Sequence, residues 1–467
     1  MLPEVKRRGI GRPYRAQRRR AISKVTTAPF SDAAHPPIVS GDDRGSARRG
    51  YITFQSVAHP EPKRWAWWID YALFPQRVPH ERSPPSLNFG IGVRMIYQNV
   101  CLEAFGYTLP TEIVTSAEIE QRLQTVYQRL KLRTGRLELM TGIRERRFWT
   151  PGTLPSEKST CSADRAIEIA SIDRDEIGAL VHASVCRDHL EPATACAVHH
   201  GLGLSEHCVI YDMSNACLGI LNGILQVANM IELGQIAAGL VVGSEGGREL
   251  VENTIEMMNR DQTLTRESIK TAVASLTIGS ASCAALLVNR ELSRTGNRLL
   301  HATATANTRH HGLCHSGRDE AVADDMRPLM TTDAERLMRE GIATGVQTFR
   351  RFLAQADWSV NDIDRTFCHQ VGVAHRRLML ESLSLEAEND FTTLEWLGNS
   401  GASALPITMA IGVDKGVLQP GDNVALLGIG SGINCVMIAV EWQRSLTSNM
   451  EFSADSESSA PPIQAAN

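Results

Sequence analysis

The sequence predicts an α/β fold made of two similar halves, each a mixed sheet carrying helices. Three observations predict it. Short apolar runs rich in β-branched residues alternate with helical patterns from Met95 to Trp442. The order of those elements then repeats: "EIGALVHASVC" (Glu176–Cys186) is echoed by "DIDRTFCHQVG" (Asp362–Gly372), and "LGILNGILQVANMIELGQIAAGLVVGSEGG" by "SGASALPITMAIGVDKGVLQPGDNVALLGIGSG". Finally, "NGILQVANM" and "ALPITMAIG" are apolar on every side, as helices enclosed between layers must be.

Taken in order, "MIYQNVCLEAFGYTLP" is a strand running into a loop. "TSAEIEQRLQTVYQRLKL" is a helix whose Thr115 and Glu118 have capping-box spacing. "IGALVHASV" is a buried strand and "VIYDM" another strand, followed by the apolar helix "LGILNGILQVANMIELG", which stops at Gly234. "AAGLVVGSEGG" is a strand entering a glycine turn, and "ASCAALLVNREL" is the next strand. The expected boundaries are 95–297 for the first half and 298–444 for the second. Residues 1–94 read as a disordered basic, Pro-rich extension, or as sequence upstream of a true start at Met95. Residues 445–467 read as a disordered tail.

Composition narrows the function. The chain of 467 residues is 43% hydrophobic, enough for a sizeable core. Residues 1–94 carry 17 Lys and Arg against 7 Asp and Glu, whereas the remainder carries 31 against 45. An acidic body argues against nucleic acid as its principal partner. The ten cysteines are scattered without CxxC pairs or zinc-ligand spacing, so no metal site is expected and a reduced, cytoplasmic setting is. "RHHGLCHSGRDE" gathers histidines and a cysteine, but without tetrahedral ligand spacing it reads as a polar loop. No apolar run is long enough to span a membrane.

Three residues stand out for chemistry. Cys217 follows the strand "VIYDM" and opens an apolar helix, where unpaired backbone N–H groups should favour a thiolate. His369 ends the strand "RTFCH", and Asn399 lies in a glycine-rich turn before the second apolar helix. Each has a plainer reading alone: a buried thiol, a satisfied strand-end histidine, a turn residue. Together they change, because duplication puts Cys217 and Asn399 on equivalent elbows and His369 beside the second.

"SNACLG", "CHQVG", "LGNSGASALP", "LLGIGSG" and "TGIRERRFW" resemble the motifs of thiolase-superfamily condensing enzymes of the ketoacyl synthase III type, in order, over about Met95 to Trp442. The resemblance implies a thiolase-like fold with two pseudo-duplicated halves in a five-layer αβαβα arrangement. It implies a homodimer acting on acyl-CoA or acyl-carrier-protein substrates, with pantetheine as the carrying arm. It also implies a Cys217–His369–Asn399 centre. Cys217 would hold an acyl group, and its N–H together with the turn Gly430, Ser431 and Gly432 would bind an oxyanion. His369 and Asn399 would stabilise the enolate of a second thioester. Arg144, Arg146 and Arg147 are candidates for CoA phosphates.

The loop "SVCRDHLEPATAC" is similar to that of OleA-type enzymes, which join two fatty acyl-CoAs head to head. There a glutamate at the place of Glu191 acts as base from the partner subunit, whereas ordinary ketoacyl synthases III usually have an apolar residue. The resemblance therefore implies a non-decarboxylative Claisen condensation. The alternatives are a decarboxylative 3-oxoacyl-carrier-protein synthase III, which needs no such base, and a non-catalytic acyl-binding homologue.

Overall fold

The computed structural model describes residues 95–316 and 329–447. The expected extension over 1–94 and the expected tail beyond 447 lie outside the described residues. In the first half, β1 (Met95–Ile96), β2 (Val100–Thr108) and the hairpin of β3 (Glu112–Thr115) and β4 (Glu145–Phe148) enclose three short helices. These are α1 (Ser116–Arg122), α2 (Gln124–Arg129) and α3 (Arg136–Thr141). Thr115 and Glu118 do form a capping box, but the expected single helix breaks at Leu123, whose φ and ψ of −99° and 12° leave the helical region. Then come α4 (Pro155–Ala170), β5 (Ile177–Ala183), α5 (Thr194–Leu202), β6 (Val209–Met213), α6 (Gly219–Glu232) and β7 (Ala238–Glu245). This half closes with α7 (Arg248–Arg260), α8 (Lys270–Val273) and β8 (Ala281–Asn289).

The second half opens with β9 (Arg298–Ala306) and a small hairpin of β10 (Cys314–Ser316) and β11 (Met330–Thr332). It continues through α9 (Ala334–Ala356), β12 (Arg365–Cys368), α10 (Val373–Leu383), α11 (Leu394–Leu397) and α12 (Ala404–Asp414). The strands β13 (Asn423–Gly430) and β14 (Asn434–Glu441) complete it.

The strands join in the order β12-β13-β14-β9-β2-β8-β7-β5-β6, with β1 beside β9. The duplication is visible in that order. The first half runs β6-β5-β7-β8-β2 and the second runs β12-β13-β14-β9, with matching parallel and antiparallel pairs. The counterpart of β6 is reduced to one parallel bridge, Thr366 to Asp390. β2 and β9 meet at the seam through the single pair Cys101 and Arg298.

Both faces of the inner strands are buried, so those strands are apolar almost throughout, whereas the end strand β6 holds no fully buried residue. Alternation divides them cleanly. On β8, Cys283, Ala285 and Leu287 face the central layer with α6 and α12, while Ala284, Leu286 and Val288 face α4 and α5. On β13, Val424 and Leu426 face the centre, and Ala425 and Leu427 face α9 and α10. The layers are therefore α4/α5, sheet, α6/α12, sheet, α9/α10. Residues Ala404–Val413 of α12 are all buried, as its all-round apolar sequence requires. The outer helix α4 lies very close to β2, where Gly106 makes room: a Cβ there would sit 2.1 Å from the Ser162 carbonyl oxygen. Among the described residues no helix is long and apolar enough to cross a membrane.

Candidate active site

Cys217 lies in the elbow between β6 and α6, two residues before the first helical residue. The turn is tight: Ala216 takes a positive φ of 45°, a conformation L-residues adopt at a cost. Asn215 braces it, donating to Asn222 at 2.5 Å and accepting from Asn434 Nδ2 at 3.0 Å. Asn434 begins β14, so this bond joins the cysteine elbow to the Gly430–Ser431–Gly432 turn. The backbone N–H groups of Cys217 and Ser431 act on the sulfur in the direction that favours its ionised form.

The expectation of an easily ionised thiol is overturned. Burial pushes the Cys217 thiol up to about 12, and nearby Cys314 and Glu245 add to the shift. The two N–H groups oppose it without prevailing. Magnitudes explain why: a helix terminus contributes about 2 kcal/mol at best, whereas full desolvation moves a pKa by roughly 3–5 units.

His369 continues from the end of β12, and its N–H donates to Leu427 O on β13 at 3.1 Å. Its side chain is buried, and among the described residues neither ring nitrogen has a hydrogen-bond partner. Burial pulls its pKa down to about 3, with a smaller contribution from His375, so the imidazole is neutral at pH 7. A neutral ring offers one donor and one acceptor, and leaving both unmet costs about 1–3 kcal/mol per group. Such a group is suited to a ligand that supplies the missing partners. As alternation predicts, Cys368 faces the other way, into the α9/α10 layer.

Asn399 is fixed by its backbone, donating to Thr277 O and accepting from Gly279 N–H, both at 2.9 Å. Its Oδ1 accepts from Gly401 N–H at 3.1 Å, which sets the amide orientation and leaves the NH₂ end as the donor available to a ligand. The two elbows touch: a Cβ on Gly219, at the start of α6, would lie 3.6 Å from the Ala402 Cβ. The cysteine elbow, the β13–β14 turn and the asparagine elbow are thus brought together, and β13 carries His369 beside them.

The remaining candidates fare differently. Glu191 projects from the exposed loop between β5 and α5, and among the described residues it has no hydrogen-bond or ion-pair partner. Arg146 is corrected as a phosphate ligand. It is fully buried, and its guanidinium donates to Val114 O, Ser116 Oγ and Leu276 O. Arg147 is half-buried and donates to Pro110 O, and Arg144 pairs with Glu395 at 3.0 Å. Among the described residues no cluster of three or more His, Cys, Asp or Glu side chains could hold a metal.

Glu245, which the sequence analysis passed over as part of a glycine turn, is buried at the end of β7. Its carboxylate accepts N–H bonds from Val185, Cys186 and Ala402. The available signal was a carboxylate closing a wholly apolar strand at its C-terminal end, where sites in α/β sheets form.

Residues 353–442 match the family described as 3-oxoacyl-[acyl-carrier-protein] synthase III C terminal. An acyl-CoA:acyl-CoA alkyltransferase from Shewanella oneidensis is 43% identical over 351 residues, covering 74% of this chain and all of that one. Its counterpart from Xanthomonas campestris is 34% identical over 348 residues with the same coverage. A β-ketoacyl-[acyl-carrier-protein] synthase III from Bacillus cereus is 25% identical over 348 residues, covering 74% and 99%. Among solved structures, Xanthomonas campestris OleA superposes with a TM-score of 0.70 at 34% identity, over 74% of this chain and 99% of that one. Those structures include variants at a glutamate, a cysteine and a histidine.

Proposed function

The chain belongs to the acyl-CoA:acyl-CoA alkyltransferases, condensing enzymes of the thiolase superfamily, and from that premise we propose how it joins two fatty acyl-CoAs head to head. Cys217 attacks the first acyl thioester. Its proton ends on the departing CoA sulfur, so the exchange is neutral overall and suits a thiol kept protonated by burial. The acyl group is then held as a thioester on Cys217.

The second acyl-CoA places its carbonyl oxygen between the His369 ring N–H and the Asn399 NH₂. Glu191 of the partner subunit removes an α-proton, and those two donors hold the resulting enolate. The enolate carbon attacks the acyl-Cys217 carbonyl. The N–H groups of Cys217 and Ser431 take the oxyanion; its collapse expels the Cys217 sulfur, which regains the proton taken up by Glu191, and leaves a β-ketoacyl thioester. The observation that carries this reading is the bond from Asn434 Nδ2 to Asn215 Oδ1, which holds the Cys217 elbow against the Gly430–Ser431–Gly432 turn.

Two observations support the role of Glu191. The glutamate and cysteine varied in the Xanthomonas campestris enzyme lie 26 residues apart, the separation of Glu191 and Cys217. The apolar side chains Val185 and Leu190, on the Glu191 loop, and Val209, on β6, are 45%, 48% and 49% exposed. Among the described residues β6 is also the end strand of the sheet, with one backbone edge unpaired. An uncovered apolar sheet edge fits a two-fold contact with a second copy, which would carry Glu191 towards the other subunit.

The test is to supply Glu191→Ala protein with a fatty acyl-CoA and read both half-reactions. Intact-protein mass should show acyl-Cys217, and condensed product should be absent. Unimpaired condensation would contradict the proposal.

A further inference from the structure

We propose that Glu245 is a positioning residue for the carbon–carbon bond-forming half-reaction, because one buried carboxylate ties the Glu191 loop to the Asn399 elbow. The inference rests on the roles given above to Glu191 and Asn399.

The end of β7 is a hub for two separate segments. On one side lies the loop after β5. Glu245 Oε1 accepts from Val185 N–H at 3.0 Å, Oε2 accepts from Cys186 N–H at 3.3 Å, and Ser184 Oγ donates to Ser244 O at 2.8 Å. On the other side lies the turn after Asn399. Oε1 also accepts from Ala402 N–H at 3.2 Å, and Ser403 Oγ donates to Gly243 O at 3.1 Å. The approach is close enough that a Cβ on Gly401 would sit 3.1 Å from the Glu245 carboxyl carbon. Gly401 also has a φ of +58°, so a glycine suits this place on both counts.

These bonds are selective. They reach the segment leading to Glu191 and the turn following Asn399. None goes to the Cys217 backbone, which Asn215 and Asn434 brace, or to His369, which β13 holds. A carboxylate is the fitting group here, since it offers acceptors in two directions to three backbone donors, of which Ala402 N–H is buried. Loss of the latch therefore releases the enolate-forming parts while leaving the acylating cysteine in place.

The experiment uses full-length Glu245→Ala and Glu245→Gln proteins with a fatty acyl-CoA, beside Glu191→Ala. Glutamine keeps the oxygen that bridges Val185 and Ala402 but turns an NH₂ group towards Cys186. Acyl-Cys217 formation should be retained in both variants, with the thiol ionising somewhat more easily because the Glu245 charge that helps raise it is gone. Condensation should fall about 10²-fold in the alanine variant, the scale expected of a 1 Å misplacement, and less in the glutamine variant. Normal condensation in both Glu245 variants, with Glu191→Ala inactive, would overturn the latch and leave the proposed function standing. Loss of acylation in Glu245→Gln of unchanged melting temperature would also overturn it, by showing a role in the whole site. Full activity of Glu191→Ala would instead remove the premise.

Discussion

Replacing Arg146 by methionine tests whether this arginine holds the site together from below. Its Cβ lies 3.3 Å from the position a Cβ would take on Gly279 and 3.2 Å from that on Gly398, the residues that flank the Asn399 turn. Methionine preserves that packing and removes only the guanidinium. The acceptors Val114 O, Ser116 Oγ and Leu276 O then lose charged donors at 3.1–3.3 Å. Bonds to a charged group are worth about 1.5–3 kcal/mol each, and relief of a buried charge offsets part of the loss. The balance is a destabilisation of about 3 kcal/mol, or roughly 4 °C in melting temperature for a folded body of this size. Urea and thermal denaturation followed by far-UV circular dichroism measure it. A variant within about 0.5 kcal/mol of wild type, the range of an ordinary surface change, would refute the structural role. A raised KM for acyl-CoA at unchanged stability would point back to phosphate binding.

Other outcomes follow from the site. With the Cys217 thiol pushed up to about 12, its alkylation by iodoacetamide, read on the Cys217 peptide, should rise about tenfold per pH unit from pH 7 to 10; a plateau near pH 8 would contradict the raised thiol. His369 and His375 titrate at about 3 and about 4 when folded, below the ordinary 6.5, so the unfolded chain takes up protons first. Their contribution to stability is therefore full above pH 6.5 and lost as pH falls towards 3–4, and His369→Leu should flatten that dependence in urea titrations between pH 4.5 and 6.5. Glu191 in trans predicts complementation: mixing and reassociating Glu191→Ala with Cys217→Ala should restore condensation that neither variant shows alone. A mixture as inactive as its parts would place the base in the same subunit. Val209→Lys, on the free edge of β6, should shift the protein towards monomer in analytical ultracentrifugation.

Much of the fold was legible because burial on both sheet faces writes itself as apolar runs: "IGALV", "GLVVG" and "VALLGIG" each became a strand with both faces covered. The elbows were legible too, since the duplicated order placed Cys217 and Asn399 at matching turns. Other features depend on long-range packing that local pattern does not encode. Arg146 looks like its neighbours Arg144 and Arg147 in sequence, yet only its position under Gly279 and Gly398 buries it. Leu123 sits in continuous helical periodicity, yet its backbone leaves the helical region where its side chain is buried. The ionisation of Cys217 depended on two opposed effects, of which sequence revealed only the helix terminus. Glu245 resembled a turn residue because its three N–H partners come from segments about 60 and 157 residues away.

The central claim is that two acyl-CoAs are joined through acyl-Cys217 by proton removal rather than decarboxylation. The most direct measurement supplies purified enzyme with fatty acyl-CoA deuterated at both α positions, with and without malonyl-carrier protein, and reads the products by mass spectrometry. The account predicts a doubled-chain β-keto product from acyl-CoA alone, with one deuterium lost from the chain that becomes the nucleophile. Product that forms only with the malonyl donor, with carbon dioxide released, would contradict it.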